Sequence, residues 1–162
     1  MTTLKTDRLK PNPAGKDKDR AGRPIPSQLA AEWVDIKNAS STTVKMDGVT
    51  LYHVAFRNGN PSHWEKVIGF KGMLEAGKVV RVHAGSGPAR PEDLAGADFH
   101  LYTNEDRFVW NNAEGDTSRL TRKVDGDESE IDKASYDPYP PEGVVLQRVG
   151  NKLVPAAATA RR

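Results

Sequence analysis

The chain has 162 residues, of which 36% are hydrophobic and 28% charged, with a formal net charge of +2. That length fits one domain, or one domain with long arms, and the absence of cysteine excludes disulfides, thiolate zinc sites and cysteine nucleophiles. No apolar run approaches the ~18 residues that cross a bilayer, and the polar stretch Met1–Lys10 does not read as a secretory leader. The expected location is therefore cytoplasmic, or within a virus particle or other assembled structure, with no membrane partner.

The small net charge hides a pattern of blocks. Residues 1–23 are net +4, residues 24–91 net +3, residues 92–142 net −9 and residues 143–162 net +4. Two basic ends flank an acidic stretch. Such blocks either mix within one folded subunit or complement each other between copies, where they would steer and register contacts more than tighten them.

Taken in chain order, short alternating runs dominate. Thr3–Leu9 alternates weakly. Pro11–Pro26 holds four prolines and the alternating charges Lys16–Arg20, which predicts a long loop suited to extended contact with a neighbour. Gln28–Glu32 is briefly helical in pattern. Trp33–Lys37 places Val34 and Ile36 on one face, with Asp35 and Lys37 facing solvent. Val49–Val54 is rich in β-branched and aromatic residues, and Trp64–Phe70 follows. Val79–His83 puts Val80 and Val82 inward, with Arg81 and His83 outward. Pro91–Gly96 is a second brief helix. Phe108–Trp110, Ser118–Lys123 with Leu120 inward, Ile131–Tyr136 and Val144–Val149 complete the strand candidates. Asp47-Gly48, Asn58-Gly59, Ala76-Gly77, Asp125-Gly126 and Gly150-Asn151 supply turns between them, the last closing a hairpin onto Lys152–Val154. Many short strands with regular turn signals predict an all-β sandwich or barrel. Pro155–Arg162 reads as a tail.

Several blocks then fall into a familiar order. Asn12-Pro13-Ala14-Gly15-Lys16-Asp17 is followed by Glu32-Trp33-Val34-Asp35-Ile36-Lys37-Asn38 and by Val80-Arg81-Val82-His83-Ala84-Gly85-Ser86-Gly87. His100-Leu101-Tyr102, Val109-Trp110-Asn111-Asn112, Gly115-Asp116-Thr117 and Ile131–Tyr136 come after them. Together they resemble the lamin tail domain, which implies an immunoglobulin-like β-sandwich. The resemblance covers roughly Thr3–Asp137, with a connection from Lys18 to Ala31 longer than the family's. The expected organisation is a sandwich over 1–137, with a long Pro- and charge-rich loop at 11–31, and a C-terminal extension or arm over 138–162. Fold resemblance gives architecture, and function has to come from particular residues.

Those blocks have an account that needs no ligand. Trp33 and Trp110 are large plugs for the mouths of a sandwich. Asn111-Asn112, Gly115-Asp116-Thr117 and Asn12–Gly15 suit turns that need left-handed backbone and side-chain-to-backbone hydrogen bonds. The four histidines show no ligand spacing. Asp125 and Asp127, in a six-residue stretch with four carboxylates, are the weak calcium candidates, but the stretch lacks the glycine and glutamate of an EF-hand loop. Neither a nucleophile elbow nor a phosphate loop is present. Catalytic, cofactor-binding and metal residues are therefore expected to be none. Lys/Arg in residues 5–23, the Arg161-Arg162 end and Tyr52 and Phe56 near Arg57 could touch a nucleic acid, opposed by the −9 block. Asn38-Ala39-Ser40 is a formal glycosylation sequon.

These features predict a non-catalytic structural or interaction protein, a subunit or decoration of a filament, shell or virus particle, whose partner is protein, itself or a larger assembly. Ile25, Leu29, Val144, Leu146 and Leu153 are its expected apolar anchors, helped by Arg161 and Arg162. The alternative is a binding module for calcium-dependent adhesion or DNA, accessory to a separate enzyme.

Overall fold

Alternating side chains can bury one face of a strand only if strands pair and curl around a shared interior. The computed structural model, which describes residues 4–155, shows how this chain does so. Its elements in chain order are β1 (Leu4–Lys10), α1 (Pro26–Ala30), β2 (Trp33–Asn38), β3 (Val44–Lys45), β4 (Val49–Arg57), β5 (Asn60–Gly69), β6 (Met73–Leu74), β7 (Val79–His83), α2 (Pro91–Leu94), β8 (Phe99–Tyr102), β9 (Asp116–Val124), β10 (Asp127–Tyr136), β11 (Leu146–Val149) and β12 (Lys152–Pro155). Both short helices lie where the pattern put them, each with proline in its first turn.

Ten strands form one hydrogen-bonded sheet in the order β5-β4-β9-β10-β12-β11-β1-β2-β7-β8, and β3 pairs with β6 separately. The sheet curls into an immunoglobulin-like β-sandwich. Leu51, Leu120, Ala134 and Tyr136 from one half meet Leu9, Val34, Ile36, Val80 and Val82 from the other in a single core. The β4–β5 and β9–β10 hairpins turn through Asn58-Gly59 and Asp125-Gly126, with φ of 54° and 79°, and of 52° and 84°. Paired positive φ is the type I′ geometry that matches strand twist, which is why Asx-Gly stands at both tips.

The inward register of Val34, Ile36, Val80, Val82 and Leu120 is as expected. The outward one needs correcting. Asp35 and Arg81 do point to the opposite face, yet they are 0% and 1% exposed, and His83 is fully buried beside them. The segment around α2 roofs that face: Arg81 Nη1 donates to the carbonyls of Asp93 and Ala95, and Arg8 Nη2 to that of Gly96. Lys37 remains partly exposed. Trp33 lies in this outer layer, under the Arg81 guanidinium at 3.5 Å, so Trp110 alone of the two tryptophans joins the core.

Phe108–Trp110 is not a strand. The amides of Val109 and Trp110 donate to the two carboxylate oxygens of Glu32, at 2.7 and 3.0 Å, instead of to a ladder. β3, β6 and β8 went unpredicted, the first two because a two-residue strand has no period to read.

Of the two segments expected to reach outward, the first folds back on itself with residues 14–23 still exposed, and the second is folded into the molecule as far as residue 155. The Pro11–Pro26 loop doubles back. Lys18 bridges Pro24, Asp19 accepts from the amides of Ala21 and Arg23, and the buried Gln28 amide donates to Pro13 O, Ala14 O and Asp17. Beyond residue 138, β11 and β12 form the expected hairpin, but as interior strands. β12 touches β10 through Ser135–Lys152, and β11 pairs with β1 at Arg8–Gln147 and Leu9–Leu146. This hairpin is the seam that joins the two halves of the sandwich.

Candidate interaction surface

Apart from one carboxylate oxygen of Asp93, the buried polar groups of the outer layer are spent on neighbouring protein groups. Asp35 takes a bidentate pair from Arg81, at 2.6 and 2.9 Å, and a further bond from Arg8 at 3.1 Å. Asp93 Oδ1 accepts from Lys10 Nζ and Trp33 Nε1, while its Oδ2 is buried without a protein partner. His83 Nδ1 bonds the Ala30 carbonyl, its Nε2 bonds His100 Nδ1, and its ring stacks on Tyr102. Burial pushes the His83 pKa down to about 4. The neutral ring then donates from Nδ1 and accepts from His100, so neither nitrogen is available to a substrate.

The Asn111–Thr117 turn is a second closed network. Asp116 accepts from the amides of Val54, Asn111 and Thr117, from the Asn111 side chain and from His53 Nδ1. Gly115 sits at φ 73°, and a Cβ there would lie 2.5 Å from the Tyr136 carbonyl oxygen, so the turn admits only glycine. His53 bonds Asp116 on one side and Glu65 on the other, each at 2.9 Å. Burial opposes its charge, but the two carboxylates outweigh burial and raise its pKa. The neighbouring cleft, floored by His53 and Glu65 and walled by Arg107 and Phe108, measures about 10 Å³, space for roughly one water. Glu32, whose pKa burial pushes up to about 8 against its two amide donors, braces the same loop. With both nitrogens on carboxylates, His53 ties β4 to β5 and to the Asn111–Thr117 turn and holds that turn in shape.

The other expected residues are equally placed. Asp125 and Asp127 stand exposed at the β9–β10 tip, and among the described residues no three His, Asp or Glu side chains converge on a metal position. The Asn38 amide is buried, donating to the carbonyls of Thr42 and Leu74, so the sequon is closed to a glycan in the folded chain. Tyr52 donates to Glu128, and Arg119 lies over its ring at 5.9 Å. Leu29, Leu146 and Leu153 are at most 2% exposed and cannot serve as docking anchors, because each fills this chain's own interior. Ile25 and Val144 are half-buried, and Arg161 and Arg162 lie outside the described residues.

What remains open is an edge. The sheet ends in β5 and β8. Free edges invite pairing, and proteins blunt them with charge, proline and bulges. β5 carries all three: Pro61, Glu65 and Lys66, and two register shifts against β4. β8 reads Phe-His-Leu-Tyr and has none. Its parallel register with β7 runs unbroken from Val80–Phe99 to His83–Tyr102. Phe99 is 50% exposed, Leu101 36% and nearby Met73 64%. They rim a groove of about 220 Å³ floored by Met46, Phe70, Leu74 and Val80. Sequence reasoning missed this surface; an uncharged, proline-free run at 99–102 was the available signal.

A sandwich whose buried polar groups mostly bond one another, and which among the described residues ends in an uncharged apolar strand edge, belongs to the class of immunoglobulin-like interaction domains. The Lamin Tail Domain family model matches residues 4–138, most of the chain, and the chain belongs to that family, a non-enzymatic domain generally engaged in protein interactions. The match ends before β11 and β12. No curated protein matches the chain. Among the described residues no helix is long and apolar enough to cross a membrane.

Proposed function

We propose that this chain is a non-catalytic structural protein, a subunit or decoration of a larger assembly such as a filament, shell or virus particle, which docks by the β8 edge. The observation that carries this reading is the contrast between the two edges: β5 is guarded, whereas β8 presents half-exposed Phe99 and Leu101 beside an apolar groove. The self-contained charge networks support it from the other side, because they leave apolar contact as the main source of affinity. Surface ion pairs contribute only ~0–1 kcal/mol each, too little to hold an assembly.

Sedimentation of the full chain at low and high salt tests this. Species heavier than the 17.8 kDa monomer, persisting at high salt, are expected. A monomer at every concentration and salt would overturn the reading.

A further inference from the structure

We infer that the occupant of the β8 edge is the β8 of a second copy, paired antiparallel about a two-fold axis through His100. This deepens the function proposed above and rests on it. A strand edge needs a partner whose backbone is equally free and whose side chains alternate in the same sense. β8 meets both demands for itself. Its far side carries no strand among the described residues, and the backbone bonds that flank it, Asp98 N to Val79 O and Thr103 N to His83 O, all run toward β7.

Register follows from the faces. Phe99 and Leu101 point toward the groove, while His100 and Tyr102 point toward the His83 layer. Residues directly opposite in an antiparallel pair share a face. A two-fold therefore has to pair odd residues with odd. An axis through His100 sets Phe99 of each copy opposite Leu101 of the other, so four apolar side chains close over the two grooves and cover Met73. The strand itself contains no Lys, Arg, Asp or Glu, so no like charges face each other across the paired strands, and the cation among the groove residues, Lys71, is exposed. Burial, with help from Arg81, holds the His100 pKa below its ordinary value, so the two facing imidazoles meet uncharged at neutral pH. A charged peptide partner has no counterpart in β8 to pair with, and β5 is too well guarded to be the mate. The resulting interface is isologous and closes at two subunits, so the dimer is the building block from which the proposed assembly is made.

The absence of cysteine makes the register readable. Opposed residues stand about 4.5–5.5 Å apart at Cα, within disulfide reach, and diagonal ones about 7–8 Å, beyond it. Under mild oxidation an equimolar mixture of the Phe99→Cys and Leu101→Cys proteins is expected to give a covalent dimer, and neither alone should. Both positions are exposed, so the variants should melt like the native chain. Phe99→Lys, which installs the missing edge charge, is expected to halve the sedimenting mass. Cross-linking of Leu101→Cys with itself would move the axis and overturn this register. An assembly that forms without the mixed disulfide and tolerates Phe99→Lys would overturn self-pairing while leaving the assembly function on another surface. A native chain that stays monomeric at millimolar concentration would overturn both.

Discussion

His53 and His83 show how neighbours decide what a residue does. Both are buried imidazoles on strands, yet their surroundings drive them in opposite directions. His53 lies between two carboxylates, and its pKa is raised. The stabilisation it supplies is full below its unfolded value of about 6.5 and is lost as pH rises through the raised one. His83 is wedged between a carbonyl and a second histidine, and its pKa falls to about 4. Its contribution is full above 6.5 and is lost as pH drops from there toward 4. An NMR titration of the ring protons should find His53 charged and His83 neutral at pH 6.5; the reverse order would contradict the hydrogen-bond assignments. Asp35 gives the second expectation at this scale. Removing one partner of a buried ion pair leaves the other uncompensated, at a cost of about 3–5 kcal/mol. Asp35→Ala should cost that much, measured by denaturant unfolding, since it strands the fully buried Arg81. A loss below about 1 kcal/mol, typical of surface pairs, would show the layer to be wet.

Among the elements, the C-terminal hairpin matters most. β11 and β12 bring Leu146 and Leu153 into the core, and Arg148 onto the buried Asp132 in a bidentate pair at 2.7 and 2.8 Å. Arg148 also donates to Thr6 O, and Asp132 accepts from Thr6 N, so the hairpin, β10 and β1 share one network. Deleting residues 143–162 removes two buried leucines, each contributing about 1.5–3 kcal/mol, and leaves Asp132 unpaired at about 3–5 kcal/mol. That sum is comparable with the whole stability of a domain, ~5–15 kcal/mol. The truncated chain should therefore lose its cooperative thermal transition by circular dichroism. A truncation that melts like the full chain would mean that the family-matched part, residues 4–138, is self-sufficient.

At the scale of the molecule, the charge blocks resolve inside one subunit. Lys10 pairs with Asp93, Arg148 with Asp132 and Lys152 with Asp137, each joining a basic end to the acidic stretch. Attraction between copies thus loses its ionic argument, which leaves the proposed pairing to rest on the apolar β8 edge. The sequence by itself determined the all-β class, most strands, both Asx-Gly hairpins and the inward register of Val34, Ile36, Val80 and Val82. These follow from local alternation and turn chemistry, which act over a few residues. It also carried the family blocks, whose glycine and Asx positions answer to backbone geometry. Only the tertiary structure decided that Asp35, Arg81 and His83 are buried, because their cover comes from separate segments: the α2 region bonds Arg81, and Ala30, His100 and Tyr102 enclose His83. Only it decided that residues 146–155 are a seam rather than an arm, because strand order depends on which edges meet in space. The exposure of Phe99 and Leu101 was decided there too: alternation says which residues share a face, and only packing says whether anything covers it.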